Sequence, residues 1–171
     1  MSYRPLPKRV DPRKLAERES ELKGSVELKS MPQLLSLLVD DEGEVSVELR
    51  FALDQQKLRT VTGHATARVK QECQRCLNPV DIELHASFDL AVVLNEEQAK
   101  NLPRYYDPLL VEEDVVLATM VEEELILTLP AVAYHQDCKV KLSYGESVTE
   151  SGGQDKKPNP FSVLAALKQK R

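Results

Sequence analysis

The chain has 171 residues and a net charge of −5, with 42% apolar, 30% charged and 5% aromatic residues and no Trp. That composition belongs to a globular protein able to build its own core, and the length fits one domain. It excludes a disulfide scaffold, since three cysteines are too few and odd in number, and a membrane span, since no apolar run nears the ~20 residues required.

Residues Met1–Val10 alternate Pro with Arg and Lys and hold no apolar segment of a secretion signal. A cytoplasmic protein with no membrane partner is therefore expected. The charge is segregated. Residues 1–23 balance at +3 and residues 156–171 at +5, whereas residues 24–155 hold 11 basic against 24 acidic residues, a balance of −13. An acidic middle suits a basic protein partner and the basic ends suit RNA; equally, the acids serve solubility.

Asp11-Pro12 predicts a helix start, an N-cap acceptor followed by Pro at the first helical position, with the helix running to about Glu21. Val26 and Leu28 mark a short strand. Met31-Pro32 opens a second short helix whose Leu34, Leu35, Leu37 and Leu38 point to burial. Across residues 44–54, Val45, Val47, Leu49, Phe51 and Leu53 alternate with polar residues. The same period of two returns in residues 59–70 and 82–92, so three half-buried strands form an antiparallel meander with one wet face. Residues 96–102 read as a helical turn and Leu109–Val111 as a strand. Asp114 is the expected cap of a strong helix over 115–129, ended by Pro130. Residues 145–157 form a Ser/Gly-rich linker. In residues 158–171 Asn159 can cap a short helix with Phe161, Leu164 and Leu167 on one side. The expected organisation is one α+β domain over residues 1–144, a linker, and a C-terminal segment docked back on the domain; the alternative is that the segment docks on a partner. The sheet is expected to be twisted and covered on one face by the long helix and the shorter ones.

The residues that carry chemistry are few. Cys73-Gln74-Arg75-Cys76 falls between two strand patterns and so sits on a hairpin tip, half of a tetrahedral zinc site. His135 and Cys138 can supply the other half, unless the two pairs are simply unrelated. A redox role for Cys73 and Cys76 fits less well, because a strand rather than a helix follows them. For catalysis the sequence offers no nucleophile elbow and, with six glycines, no phosphate-cradling loop. No catalytic residue and no small-molecule substrate is expected. Glu122, Glu123 and Glu124 can form a solvated face open to a basic partner, or a divalent-metal site of the kind nucleases use.

Three motifs in series carry a family resemblance: Cys73-Gln74-Arg75-Cys76 preceded by Glu72, the helix Met120–Leu127 ending at Leu129-Pro130, and the terminal run Lys157-Pro158-Asn159-Pro160-Phe161-Ser162-Val163-Leu164-Ala165. Together they resemble the bacterial YceD family. The resemblance implies a non-enzymatic ribosome-biogenesis factor needed for accumulation of 23S rRNA, through its synthesis, processing or stability. It implies as partners 23S rRNA or its precursor, a basic large-subunit ribosomal protein, or both. The partner-facing residues would be Glu122, Glu123, Glu124, Lys157, Asn159 and Phe161, and zinc the one candidate cofactor. The rival reading is a metal-dependent RNA-processing enzyme built on the acidic helix. Many family members carry a second cysteine-rich cluster after this helix, where this chain has only His135 and Cys138.

Overall fold

The structure is a computed structural model and describes residues 5–140. The linker and the C-terminal segment, with Lys157, Asn159 and Phe161, lie outside the described residues. No helix among those described is long and apolar enough to cross a membrane.

After a two-residue strand β1 (Arg9–Val10), helix α1 (Pro12–Glu17) starts where expected. The Asp11 carboxylate accepts from the Arg13 N–H at 3.0 Å and the Lys14 N–H at 3.3 Å. The helix stops four residues short of the expected Glu21. Glu19 takes a left-handed φ of 49°, and Glu21 already belongs to strand β2 (Glu21–Glu27), paired along its length with the next strand. Here sheet pairing overrides local helix propensity. Helix α2 (Pro32–Leu35) is short; Leu34 is buried but Leu37 is exposed.

The three alternating segments become β3 (Glu44–Leu53), β4 (Arg59–Glu72) and β5 (Pro79–Val93), an antiparallel meander as expected. The sheet extends by one strand on each side, in the order β2-β3-β4-β5-β6. Strand β6 (Asp107–Leu110) runs parallel to β5 because helix α3 (Glu96–Lys100) lies in the connection that carries the chain back. At the opposite edge the N-terminal segment lies along β2, with the Leu6 N–H donating to the Ser25 carbonyl.

The register puts Val47 beside Ala65, Leu49 beside Gly63 and Phe51 beside Val61 on the buried face. The other face is wet, with Thr62 bonded to Asp89, His64 to Ser87 and Arg68 to Glu83. Gly63 is required by packing: a Cβ there would lie 2.1 Å from Cζ of Phe88, whose ring crosses the bare backbone.

Helix α4 (Leu117–Thr128) supplies Leu117, Met120, Val121 and Leu125 to the core above this face. Its start differs from expectation. Val115–Val116 is strand β7, paired with β1, so the helix begins at Leu117 with no side-chain cap, and Asp114 instead accepts from Arg9 through its backbone carbonyl. It ends at Thr128, one residue short of the expected Leu129, which is the extended cap before Pro130.

Candidate metal centre

Strands β4 and β5 pair out to Glu72 and Pro79, leaving Cys73–Asn78 as the hairpin tip. Two backbone bonds tighten it into a knuckle: Leu77 N–H donates to the Cys73 carbonyl and Cys73 N–H to the Asn78 carbonyl, both at 2.9 Å. Leu77 closes it in the left-handed region at φ 60°, a conformation that costs a non-glycine residue roughly 1–2 kcal/mol. Such strain persists where the surroundings enforce it. The effect is to turn both cysteines inward.

After Pro130 stops α4, the chain runs across this tip. Gln74 N–H donates to the Ala133 carbonyl at 2.8 Å, and Ala133 packs with Cys73, Cys76 and Val80 in a small apolar cluster apart from the main core. Arg75 ties the two segments twice, its Nη1 donating to the Cys138 carbonyl at 3.2 Å and its guanidinium lying 5.2 Å from the Tyr134 ring centre. His135 presents Nε2 to the Pro79 carbonyl at 3.0 Å. A carbonyl only accepts, so Nε2 carries a proton in this contact and Nδ1 is the ring nitrogen that faces the Cys76 sulfur.

The structure thus brings all four sequence-predicted ligands together. The Sγ atoms of Cys73, Cys76 and Cys138 and a ring nitrogen of His135 lie within 4.8 Å of one another. Cys73 Sγ is 3.6 Å from Cys138 Sγ, and Cys76 Sγ is 3.5 Å from His135 Nδ1. Cys73 and Cys76 are buried; His135 and Cys138 are half-buried. Burial alone would raise the Cys73 thiol, but the backbone N–H groups of Cys76, Arg75 and His135 and the His135 side chain hold it down at about 5. Cys138 is pushed up by burial and by the Cys73 and Cys76 sulfurs beside it. One sulfur favours its anion and crowds the next, a repulsion that a soft cation relieves. A set of three thiols and an imidazole can hold a metal ion.

The acidic run on α4 divides. Glu122 was expected on an open face, yet it is 1% exposed, and its Oε1 accepts from the Leu34 N–H at 2.9 Å. It satisfies a backbone donor at the start of α2 and is closed to any partner. The reason is helical phase: Glu122 sits next to Val121 and three residues before Leu125 on the core side. Glu123 is exposed and Glu124 partly so. Burial, with Asp107 and Glu123 as negative neighbours, raises the Glu124 carboxyl above its ordinary range. His64 and His85 stand on the wet sheet face, away from the cluster. Gln74, Arg75, Pro79, Ala133 and Tyr134 are not legible as supports; the only hint is that each lies within three residues of an expected ligand.

Known proteins match the chain in sequence. The family described as "Large ribosomal RNA subunit accumulation protein YceD" matches residues 61–168. A Haemophilus influenzae protein of that name is 38% identical over 169 residues, 96% of this chain and 97% of its own length. The chain belongs to the YceD family. No solved structure matches it. The matched YceD region takes in both halves of the cysteine–histidine cluster and all of α4. A role in accumulation of the large-subunit ribosomal RNA is what the family name carries.

Proposed function

We propose that this chain acts as a ribosome-biogenesis factor in the cytoplasm that promotes 23S rRNA accumulation by binding, without a catalytic step. The acidic domain receives a basic large-subunit ribosomal protein, and the basic end segments, residues 1–23 and 156–171, approach RNA. The observation that carries this reading is the carboxylate cluster of Glu123, Glu124 and Asp107. Burial and then the negative charges of Asp107 and Glu123 raise the Glu124 carboxyl, so a cation arriving there is favoured. Leu127, one turn beyond Glu123 and 79% exposed, and Leu110, 54% exposed on β6, give the same region apolar surface for a partner to cover. The rival nuclease reading needs several free carboxylates on α4, and Glu122 is committed to Leu34. Sedimentation of the full chain with that ribosomal protein, and separately with rRNA fragments, tests the division. Binding of the protein that weakens on Glu123→Gln with Glu124→Gln supports it. Binding of neither partner at physiological salt overturns it.

The cysteine–histidine cluster holds zinc as a structural clasp. Tetrahedral Zn–S bonds of about 2.3 Å and a Zn–N bond of about 2.05 Å require S···S edges near ~3.8 Å and S···N edges near ~3.6 Å. The distances of 3.6 Å for Cys73–Cys138 and 3.5 Å for Cys76–His135 fit both edges. His135 ligates through Nδ1, oriented by its Nε2–H bond to Pro79, the outer partner such ligands usually have. With all four positions filled by protein, the ion is structural and not catalytic. A native mass spectrum of protein prepared in zinc should show one bound ion, lost on Cys73→Ala. A zinc-free mass under those conditions defeats the assignment.

A further inference from the structure

The clasp joins two segments that are far apart in sequence. Cys73 lies on the β4–β5 tip and Cys138, 65 residues later, lies beyond α4, yet their sulfurs are neighbours at 3.6 Å. Resting on the zinc reading above, we propose that this site has a second closed state, a Cys73–Cys138 disulfide that forms when a hydroperoxide oxidises the thiolates and zinc leaves.

The pairing follows from which sulfur faces which. Cys73 Sγ lies 3.6 Å from Cys138 Sγ, whereas Cys76, also a neighbour of Cys138, has its sulfur 3.5 Å from the His135 ring nitrogen. The knuckle bonds Leu77–Cys73 and Cys73–Asn78 hold the CxxC backbone in its turn. Residues 131–140 have no strand or helix of their own, so the Cys138 side is the one free to move. A disulfide needs about 2.05 Å between sulfurs, and the approach can be taken up by side-chain rotation and this irregular segment. Accessibility sets the order, since Cys138 is half-buried and Cys73 fully buried.

The chemistry balances without a further reactant. Held as a zinc ligand Cys138 would be a thiolate, and it attacks one oxygen of hydrogen peroxide; the O–O bond breaks, and hydroxide departs and is protonated to water, leaving a sulfenic acid. The Cys73 thiolate then attacks the Cys138 sulfur and expels its hydroxyl, which leaves as a second water. Two thiolates have lost two electrons in total and the peroxide has gained them. Zinc retains only Cys76 and His135, two ligands of four, and dissociates. A thiol reductant restores the ligands and lets zinc return. The clasp therefore has three states: closed by zinc, closed by disulfide, and open only when reduced and metal-free. What regulation acts on is the open state, in which residues 131–140 have no metal or covalent link to the tip and are held there by the Gln74–Ala133, Arg75–Cys138 and His135–Pro79 bonds, the Arg75–Tyr134 contact and the packing of Ala133.

The test treats full-length zinc-loaded protein with hydrogen peroxide. Three quantities are followed: zinc release with a chelating dye, disulfide pairing by peptide mass, and amide exchange of residues 131–140. The expected result is one zinc released per chain together with a Cys73–Cys138 linked peptide. Amide protection over 131–140 should match the zinc form, and fall at least tenfold in the reduced protein stripped by chelator. Cys76→Ala should still form the link, and Cys138→Ala should not. A Cys73–Cys76 link, or sulfinic acids with no link, overturns the proposal. Protein that never carried zinc would defeat the zinc assignment alone; the same peptide map on that metal-free protein still decides the disulfide, and a missing Cys73–Cys138 link there overturns the pairing too.

Discussion

Gly63 offers a quantitative test of the sheet packing. In Gly63→Ala the new Cβ would stand 2.1 and 2.2 Å from two Phe88 ring carbons and 2.9 Å from Leu49 Cδ2, where ordinary contact begins at 3.4 Å. The Phe88 ring must retreat by about 1.2 Å within a close-packed core, and overpacking of that kind costs roughly 1–3 kcal/mol. Part is recovered because Ala gives up less chain entropy than Gly in a strand, about 0.5–1 kcal/mol. The net loss should be about 1 kcal/mol, which for a chain of this size lowers the melting temperature by roughly 2–4 °C. Thermal unfolding followed by circular dichroism measures it. Phe88→Leu should relieve the clash, so the double variant should be more stable than the sum of the singles by about 1 kcal/mol or more. A melting temperature for Gly63→Ala within a degree of the parent, or strict additivity in the double variant, would refute the packing argument.

Glu122→Ala strands the buried Leu34 N–H, a loss of roughly 1–3 kcal/mol before any cavity cost. Glu122→Gln keeps an acceptor and should cost less in urea unfolding; the reverse order would contradict a carboxylate in that role. For Asp11, burial alone would raise the carboxyl, but hydrogen bonds from Lys14 and Arg13 hold it below the ordinary value. Its contribution is therefore present in full above the ordinary carboxylate pKa and is lost as pH falls through the lowered folded value. Asp11→Asn retains an N-cap, so its stability gap to the parent should shrink as pH falls below the ordinary carboxylate pKa; a gap that widens in acid would rule out this linkage. If the proposed zinc site is right, His135→Ala takes away one of its four ligands and should weaken zinc by more than the roughly 10–100-fold typical of losing an outer partner. Chelator competition reads this directly, and an unchanged affinity would remove His135 from the site.

Much of the fold was legible because period-two alternation depends only on one face of a strand being buried. The segments around Val47, Ala65 and Ala86 show that pattern, and each appears as a strand in the meander. The Asp11-Pro12 start of α1 and the Pro130 stop of α4 were legible for a similar reason, since capping and proline geometry act within one turn of chain. The ends that moved, Glu17 for Glu21 and Leu117 for Val115, are places where the chain pairs with a distant strand. Local signals do not carry that pairing.

The sequence by itself determined which residues could bind a soft metal, because thiol and imidazole chemistry and a spacing of three are properties of the residues alone. It also determined the acidic middle and the family. Only the tertiary structure decided that Cys73 and Cys76 meet His135 and Cys138, that Arg75 and Pro79 brace them, and that Glu122 turns inward while Glu123 turns out. The physical reason is common to all three. Contacts between segments some 60 to 90 residues apart depend on how the β4–β5 hairpin and α4 pack over the core, and neither helical nor strand periodicity records which distant element a side chain will face.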